Sequence, residues 1–133
     1  MSFIELKGLD ETSEPKVAPE AEYDLCITTA KLTEKEGKHN IMTIIEIEGE
    51  SDFANVFHYI ALPSEDDEDD KRKAKLLFAK RFFYQFGIEM DGGIELEQLV
   101  GSRARGKLKL DEYEGNLKSV LQVDRLPAEV EEG

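Results

Sequence analysis

The sequence has no tryptophan, one cysteine (Cys26) and four prolines in 133 residues. A lone thiol cannot close an internal disulfide, and no second thiol is at hand for a zinc cluster. A reducing cytoplasm is the natural setting for such a chain. Long apolar runs are lacking too, since none approaches the roughly 18 residues of a membrane-spanning helix. The opening Met1-Ser2-Phe3-Ile4-Glu5-Leu6 has no basic stretch followed by a long apolar one, so neither a secretory signal nor a membrane contact is expected. Positive charge is scarce: 17 Lys and Arg stand against 30 acids, for a net charge of -13. Binding to a polyanion would ordinarily call for the opposite sign. Net charge governs solubility and long-range steering, however, and leaves the local field of any one face open.

Signatures of catalysis are missing as well. The glycines at 87, 92, 93 and 101 flank short segments without the Lys-Ser/Thr of a phosphate loop. His39 and His58 show no HxxxH or HxxE spacing, and no serine sits in a nucleophile elbow. The acidic run Glu65-Asp70 includes Asp66, Asp67, Asp69 and Asp70, but it lacks the glycine and alternate oxygens of a calcium loop. It reads as the start of a helix. No enzyme, cofactor or metal site is expected.

What is present is one domain's worth of patterned sequence. Residues 1-17 are charged and contain Pro15, and they read as a lead-in. In residues 22-33, Tyr23, Leu25, Ile27 and Thr29 alternate as the buried face of a strand. The loop EKEGKHN follows, with Gly37 and Asn40 as turn residues, then a β-branched strand over 41-48. Residues 55-62 form a third strand, setting Val56, His58, Ile60 and Leu62 against Phe57, Tyr59 and Ala61. After Pro63 the period becomes helical over 65-86. Ser64 suits the N-cap, the acids sit at the positive end of the dipole, and Gly87 suits the end. Leu76, Phe78, Ala79, Phe82, Phe83 and Phe86 fall on one broad stripe. A short helix or turn is expected over 94-101. A strand over 103-110 puts Ala104, Gly106, Leu108 and Leu110 inward, and after a turn over 111-116 residues 117-123 pair back as a hairpin. The acidic tail 127-133 closes the chain.

The order β-β-β-α-β-β predicts a mainly β domain over 18-126, with one long helix between the third and fourth strands. That is the element order of the OB-fold, a five-stranded barrel. A plain sheet backed by the helix is the structural rival.

A basic strip survives inside the acidic chain. Arg103, Arg105, Lys107 and Lys109 project from one side of one strand, at a spacing of about 7 Å that approaches that of single-strand phosphates. The same pattern also suits a solvated edge that deters aggregation. Lys31, Lys35, Lys38 and His39 gather around the first hairpin, while Tyr113 and Lys118 lie at the last. Phe57 and Tyr59 read equally as core or as platforms for stacking bases. The helix bases Lys71, Arg72, Lys73, Lys80 and Arg81 read as surface.

With these residues in view, positions 18-126 resemble the small bacteriophage single-stranded DNA-binding proteins of OB-fold type. The resemblance rests on Pro19 to Tyr23, with Glu20-Ala21 in place of the family's glycine, and on the Lys-rich loop. It rests also on Gly87-Ile88 at the helix end, on Leu99-Val100-Gly101, and on Tyr113, Gly115 and Asn116 at the hairpin tip. It implies a protein without enzymatic activity that protects or organises single-stranded DNA in phage replication or recombination, in the cytoplasm of an infected bacterium. The implied DNA contacts are Lys31, Lys35 and Lys38 with Arg103, Arg105 and Lys107. The acidic tail would dock replication or recombination proteins. The strong run 65-70 and the net charge depart from the family's pattern. They suit the alternative, an acidic protein-interaction module that mimics DNA or regulates a DNA enzyme.

Overall fold

A computed structural model describes residues 2-130. The elements run β1 (Ala21–Lys35), β2 (Lys38–Ile47), β3 (Val56–Ala61), α1 (Asp69–Gln85), a 3₁₀ turn (Leu96–Gln98), β4 (Arg103–Tyr113) and β5 (Asn116–Gln122). The five strands form one sheet in the order β3-β2-β1-β4-β5, and each neighbouring pair is antiparallel. The edge strands β3 and β5 come close to each other. Among the described residues no ladder joins them, so where a five-stranded barrel was expected the strands form an open sheet. Helix side chains occupy that seam: Lys75 and Phe78 line a cavity of about 230 Å³ with His58 and Val123.

Both hairpins are tighter than the sequence suggests. The first turn is only Glu36-Gly37, at φ 54° and 79°, and the second only Glu114-Gly115, at 51° and 82°. Two successive positive φ values match the right-handed twist of the flanking strands, which a glycine at the second position makes easy. The strands therefore absorb most of the expected loops. Lys35 pairs with Lys38, Asn40 is a ladder residue rather than a turn residue, and Tyr113 pairs with Asn116.

Strand β1 carries a β-bulge. Ile27 pairs with Ile45 and Thr29 with Ile44, leaving Thr28 as the extra residue. Side chains alternate across a strand, so one extra residue reverses the faces beyond it. Tyr23, Leu25 and Ile27 face the core as expected, but Thr29 moves to the opposite face and Ala30 replaces it.

Helix α1 begins later than expected. Its N-cap is Glu68 rather than Ser64, with no side-chain cap bond, and only Asp69 and Asp70 lie in the first turn. Ser64 instead closes a turn with Asp67. The Ser64 N–H donates to the Asp67 carboxylate at 2.9 Å, and the Asp67 N–H donates to the Ser64 carbonyl at 3.1 Å. The far end matches expectation at Gly87. The Gly87 N–H donates to the Tyr84 carbonyl and the Ile88 N–H to the Phe83 carbonyl, at 3.1 and 2.8 Å, which is a Schellman closure.

The buried stripe is also narrower than the sequence implied. Ala79, Phe82, Phe83 and Phe86 pack on Leu25, Ile27, Ile45, Val56, Ile60 and Leu108. Leu76 and Phe78 are exposed, and Phe78 instead lies beneath the Arg81 guanidinium at 5.4 Å. Phe82 is the centre of the core, tilted on Phe86 at 4.7 Å and stacked on the His58 ring at 4.8 Å. Fully burying one such side chain is worth about 1.5-3 kcal/mol. Gly106 of β4 admits the close approach this packing requires: a Cβ there would sit 2.9 Å from the Gln85 amide and 3.0 Å from Leu25.

Candidate nucleic-acid interface

Residues opposite one another in an antiparallel pair project to the same face. The register therefore assigns each candidate a side. On the face turned away from α1, Phe57 pairs with Ile44 and Ile44 with Thr29, and in the next row Tyr59 pairs with Met42 and Met42 with Lys31. Lys35 and Lys38 end the first hairpin with the same parity. Across β1 and β4, Cys26 pairs with Arg103, Asp24 with Arg105 and Glu22 with Lys107. On β4 and β5, Lys109 pairs with Val120, Asp111 with Lys118 and Tyr113 with Asn116. Ten of the eleven sequence candidates thus share one face. His39 is the exception, because its partner Glu34 has core-side parity.

Accessibility resolves the ambiguity over the aromatics. Phe57 is 52% exposed, Tyr59 56% and Tyr113 65%, so none of them is core. Met42 and Ile44 between them are half-buried, giving an apolar floor that sequence reasoning passed over. The signal for them was the alternation of β2, which becomes readable once its pairing with Phe57 and Tyr59 is known. Lys109 belongs to the same face and is likewise exposed.

The cations of this face divide into two groups. Arg105 donates from Nη1 to the Asp24 carboxylate at 3.1 Å and lies 3.9 Å from Glu22, while Arg103 lies 3.3 Å from Glu48. The β1–β4 pairing places Asp24 and Glu22. Glu48 is held beside β1, just past the end of β2, by its N–H, which donates to the Asp24 carbonyl. A reading of β4 alone cannot supply these partners. Lys31, Lys35, Lys38, Lys107 and Lys118 have no carboxylate within 4 Å among the described residues. The Lys118 ammonium instead stands 6.0 Å from the Tyr113 ring centroid. The face is therefore an aromatic and lysine region on β1–β3, beside an ion-paired region on β1 and β4.

Two titratable groups lie outside this face, and both have structural causes. Burial against Phe82 lowers the His58 imidazole to about 4. The Asp67 carboxyl is lowered to about 2. The hydrogen bond from Lys75 contributes most, followed by the Ser64 N–H, and Lys71 adds charge at 3.7 Å. Asp67, with its side chain 5% exposed, is thereby bound into the helix start. Among the described residues no group of three or more His, Cys, Asp and Glu side chains is gathered as metal ligands would be.

No helix among the described residues is long and apolar enough to cross a membrane. Of the acidic tail, Glu131, Glu132 and Gly133 lie outside the described residues, while Pro127 and Glu129 line a shallow pocket with Lys80 and Tyr84. No family model matches the chain, and no curated protein is significantly similar to it.

Proposed function

We propose that this chain is a non-enzymatic single-stranded DNA-binding protein that holds the strand on the sheet face opposite α1. The observation that carries the reading is the register, which gathers exposed Phe57 and Tyr59 with Lys31, Lys35 and Lys38 on one surface. Bases would stack on the two rings and on Tyr113, and the lysines would neutralise the backbone. Stacking is sequence-tolerant because every base offers a π face, and it is worth about 1-3 kcal/mol per base. The strand order β3-β2-β1-β4-β5 with a helix after β3 suits an OB-type domain whose β3–β5 seam is left open. The resemblance of residues 18-126 to phage single-stranded DNA-binding proteins supports the same reading. It extends that reading to replication or recombination in the cytoplasm of an infected bacterium, with the acidic tail as a dock for partner proteins.

Fluorescence anisotropy of a labelled oligo-dT, beside a duplex of equal length and at two salt concentrations, tests the proposal. Saturable, salt-sensitive binding that prefers the single strand is expected. No binding at low salt refutes it. The carboxylates that hold Arg103 and Arg105 favour a second reading, an acidic interaction module for a DNA enzyme. That reading predicts no oligonucleotide binding at all.

A further inference from the structure

On the α1 side of the sheet an open apolar trough meets an acidic border. The trough, about 670 Å³, lies between α1, the first hairpin and the segment after α1, and Leu32, Leu62, Leu76, Phe83, Met90 and Ile94 line it. Leu32 is 59% exposed, Leu76 48% and Met90 39%, so its walls face water. Contiguous apolar surface left open in this way marks an interaction site. The segment that walls the trough after α1 carries charge of one sign: residues 88–101 hold Glu89, Asp91, Glu95 and Glu97, with no Lys or Arg. Glu89, Asp91 and Glu95 line an adjoining cleft of about 610 Å³, which shares Met90, Gly92, Gly93 and Ile94 with the trough. None of these three carboxylates has a cation within 4 Å among the described residues. One cation, Lys80, lines the trough itself, on the α1 wall, and it also lines the pocket that holds Glu129 of the tail.

We infer that the trough and its border take an amphipathic helix of a partner protein, apolar on one face and basic beside it. Its apolar side chains seat against Leu76, Phe83 and Met90, and its lysines or arginines meet Glu89, Asp91 and Glu95. Charge selects this occupant. Three unpaired carboxylates against one ammonium attract a basic segment and disfavour an acidic one. Size and shape suit a helix: Leu76 and Phe83 spread the trough over two turns of α1, about 10 Å, which a second helix spans with side chains at i, i+3, i+4 and i+7. Neither end of this chain has the required character. Residues 3–9 balance Glu5 with Lys7, and the charged residues of the tail after Pro127 are all acids. Phe57, Tyr59 and Lys31 project from the opposite face of the sheet, so the occupant leaves that face open. The inference holds whether or not that face takes DNA.

Fluorescence anisotropy of the full chain with a labelled helical peptide, leucines on one face and lysines elsewhere, tests this. Two comparison peptides keep half the pattern: one has glutamates for the lysines, the other alanines for the leucines. Saturable binding of the leucine–lysine peptide alone is expected. Leu76→Ser, on an exposed wall, should weaken it about tenfold. Glu89→Gln with Asp91→Asn, both exposed, should weaken it about threefold at low salt. Glu112→Gln with Glu114→Gln removes the same charge at the last hairpin and should leave binding unchanged. No binding, or equal binding of either comparison peptide, overturns the inference. Equal weakening by the two charge pairs does so too, since it means a general attraction to an acidic chain. Association of the full chain in sedimentation velocity that Leu76→Ser abolishes would assign the trough to a second copy. Tighter peptide binding after deletion of residues 2–12 would assign it to the chain's own arm, and either result overturns the inference. With no DNA present, none of these outcomes bears on the opposite face.

Discussion

His58 makes the stability of this fold depend on pH in a way that can be isolated. Its ring lies flat on Phe82, at 4.8 Å and 6°, and burial lowers it from 6.5 to about 4. The unfolded chain therefore takes up a proton on this residue at a higher pH than the folded chain does. The stability held by the neutral ring is present above pH 6.5 and is lost as the pH falls toward 4. At about 1.4 kcal/mol for each tenfold change in proton affinity, the full effect is on the order of 3 kcal/mol, and about 2 kcal/mol of it is gone by pH 5. Replacing His58 by Phe keeps a ring against Phe82 and removes the titration. Urea unfolding, followed by circular dichroism at pH 7.5 and pH 5, then compares the two proteins. With a urea slope of about 1-3 kcal/mol per molar, the wild-type midpoint should fall by about 1 M more than the variant's. Asp67 does not confuse the comparison, because its window lies below pH 4. Parallel midpoints for the two proteins down to pH 5 would refute the reasoning.

Asp67→Asn should lower the melting temperature at neutral pH. Its carboxylate stabilises the fold above about pH 3.8, so the difference from wild type should shrink as the pH falls toward 2. Gly106→Ala forces a Cβ against Gln85 and Leu25 and should cost about 1-3 kcal/mol by urea unfolding, as overpacking does. On the proposed interface, Tyr59→Ala should weaken oligo-dT binding by about 1-3 kcal/mol and leave the salt slope unchanged. Lys31→Ala should instead flatten that slope by about 0.7 for one lost phosphate contact. Asp24→Asn removes the closer of the two carboxylates beside Arg105, leaving Glu22 at 3.9 Å, and should tighten anisotropy-measured binding while steepening the slope.

Patterns with local causes were legible in the sequence. The alternation of β3 separated Val56, His58 and Ile60 from Phe57 and Tyr59 without deciding which set faces the core. That of β4 placed Ala104, Gly106 and Leu108 inward, although Leu110, expected with them, is exposed. Period-two patterning follows from strand geometry alone. Gly87 marked the helix end through a closure that spans only a few residues. The errors arose where a distant partner decides. Leu76 and Phe78 carry the helical period, yet they border open cavities at the margins of the helix's packed face and stay exposed. Ser64 has the chemistry of a cap, but Asp67 was drawn forward to Lys75 and turned the chain first. The bulge at Thr28 leaves no mark in composition, and it moved Thr29 off the core. For the candidate interface, residue types on single strands were enough to nominate its members. The neutralisation of Arg105 by Asp24, 81 positions away, was not visible without the pairing of β1 with β4.

The bulge also sets which changes in length β1 can absorb. Thr28 is surplus to the ladder, held by a hydroxyl bond to the Ile44 carbonyl at 3.2 Å. A chain lacking Thr28 alone would still present Leu25, Ile27 and Ala30 inward and Lys31 outward, with a straighter strand. Losing Thr29 gives the same chain, because its neighbour is also threonine, whereas losing any single residue from Leu32 to Lys35 would force a choice between exchanging inward and outward positions and resizing the tight Glu36-Gly37 turn. Pairing with β4 stops at Cys26, just before the bulge, so the bulge also marks where β1 passes from the middle of the sheet to its rim. In this fold the one dispensable position of the longest strand is the point where it changes neighbours.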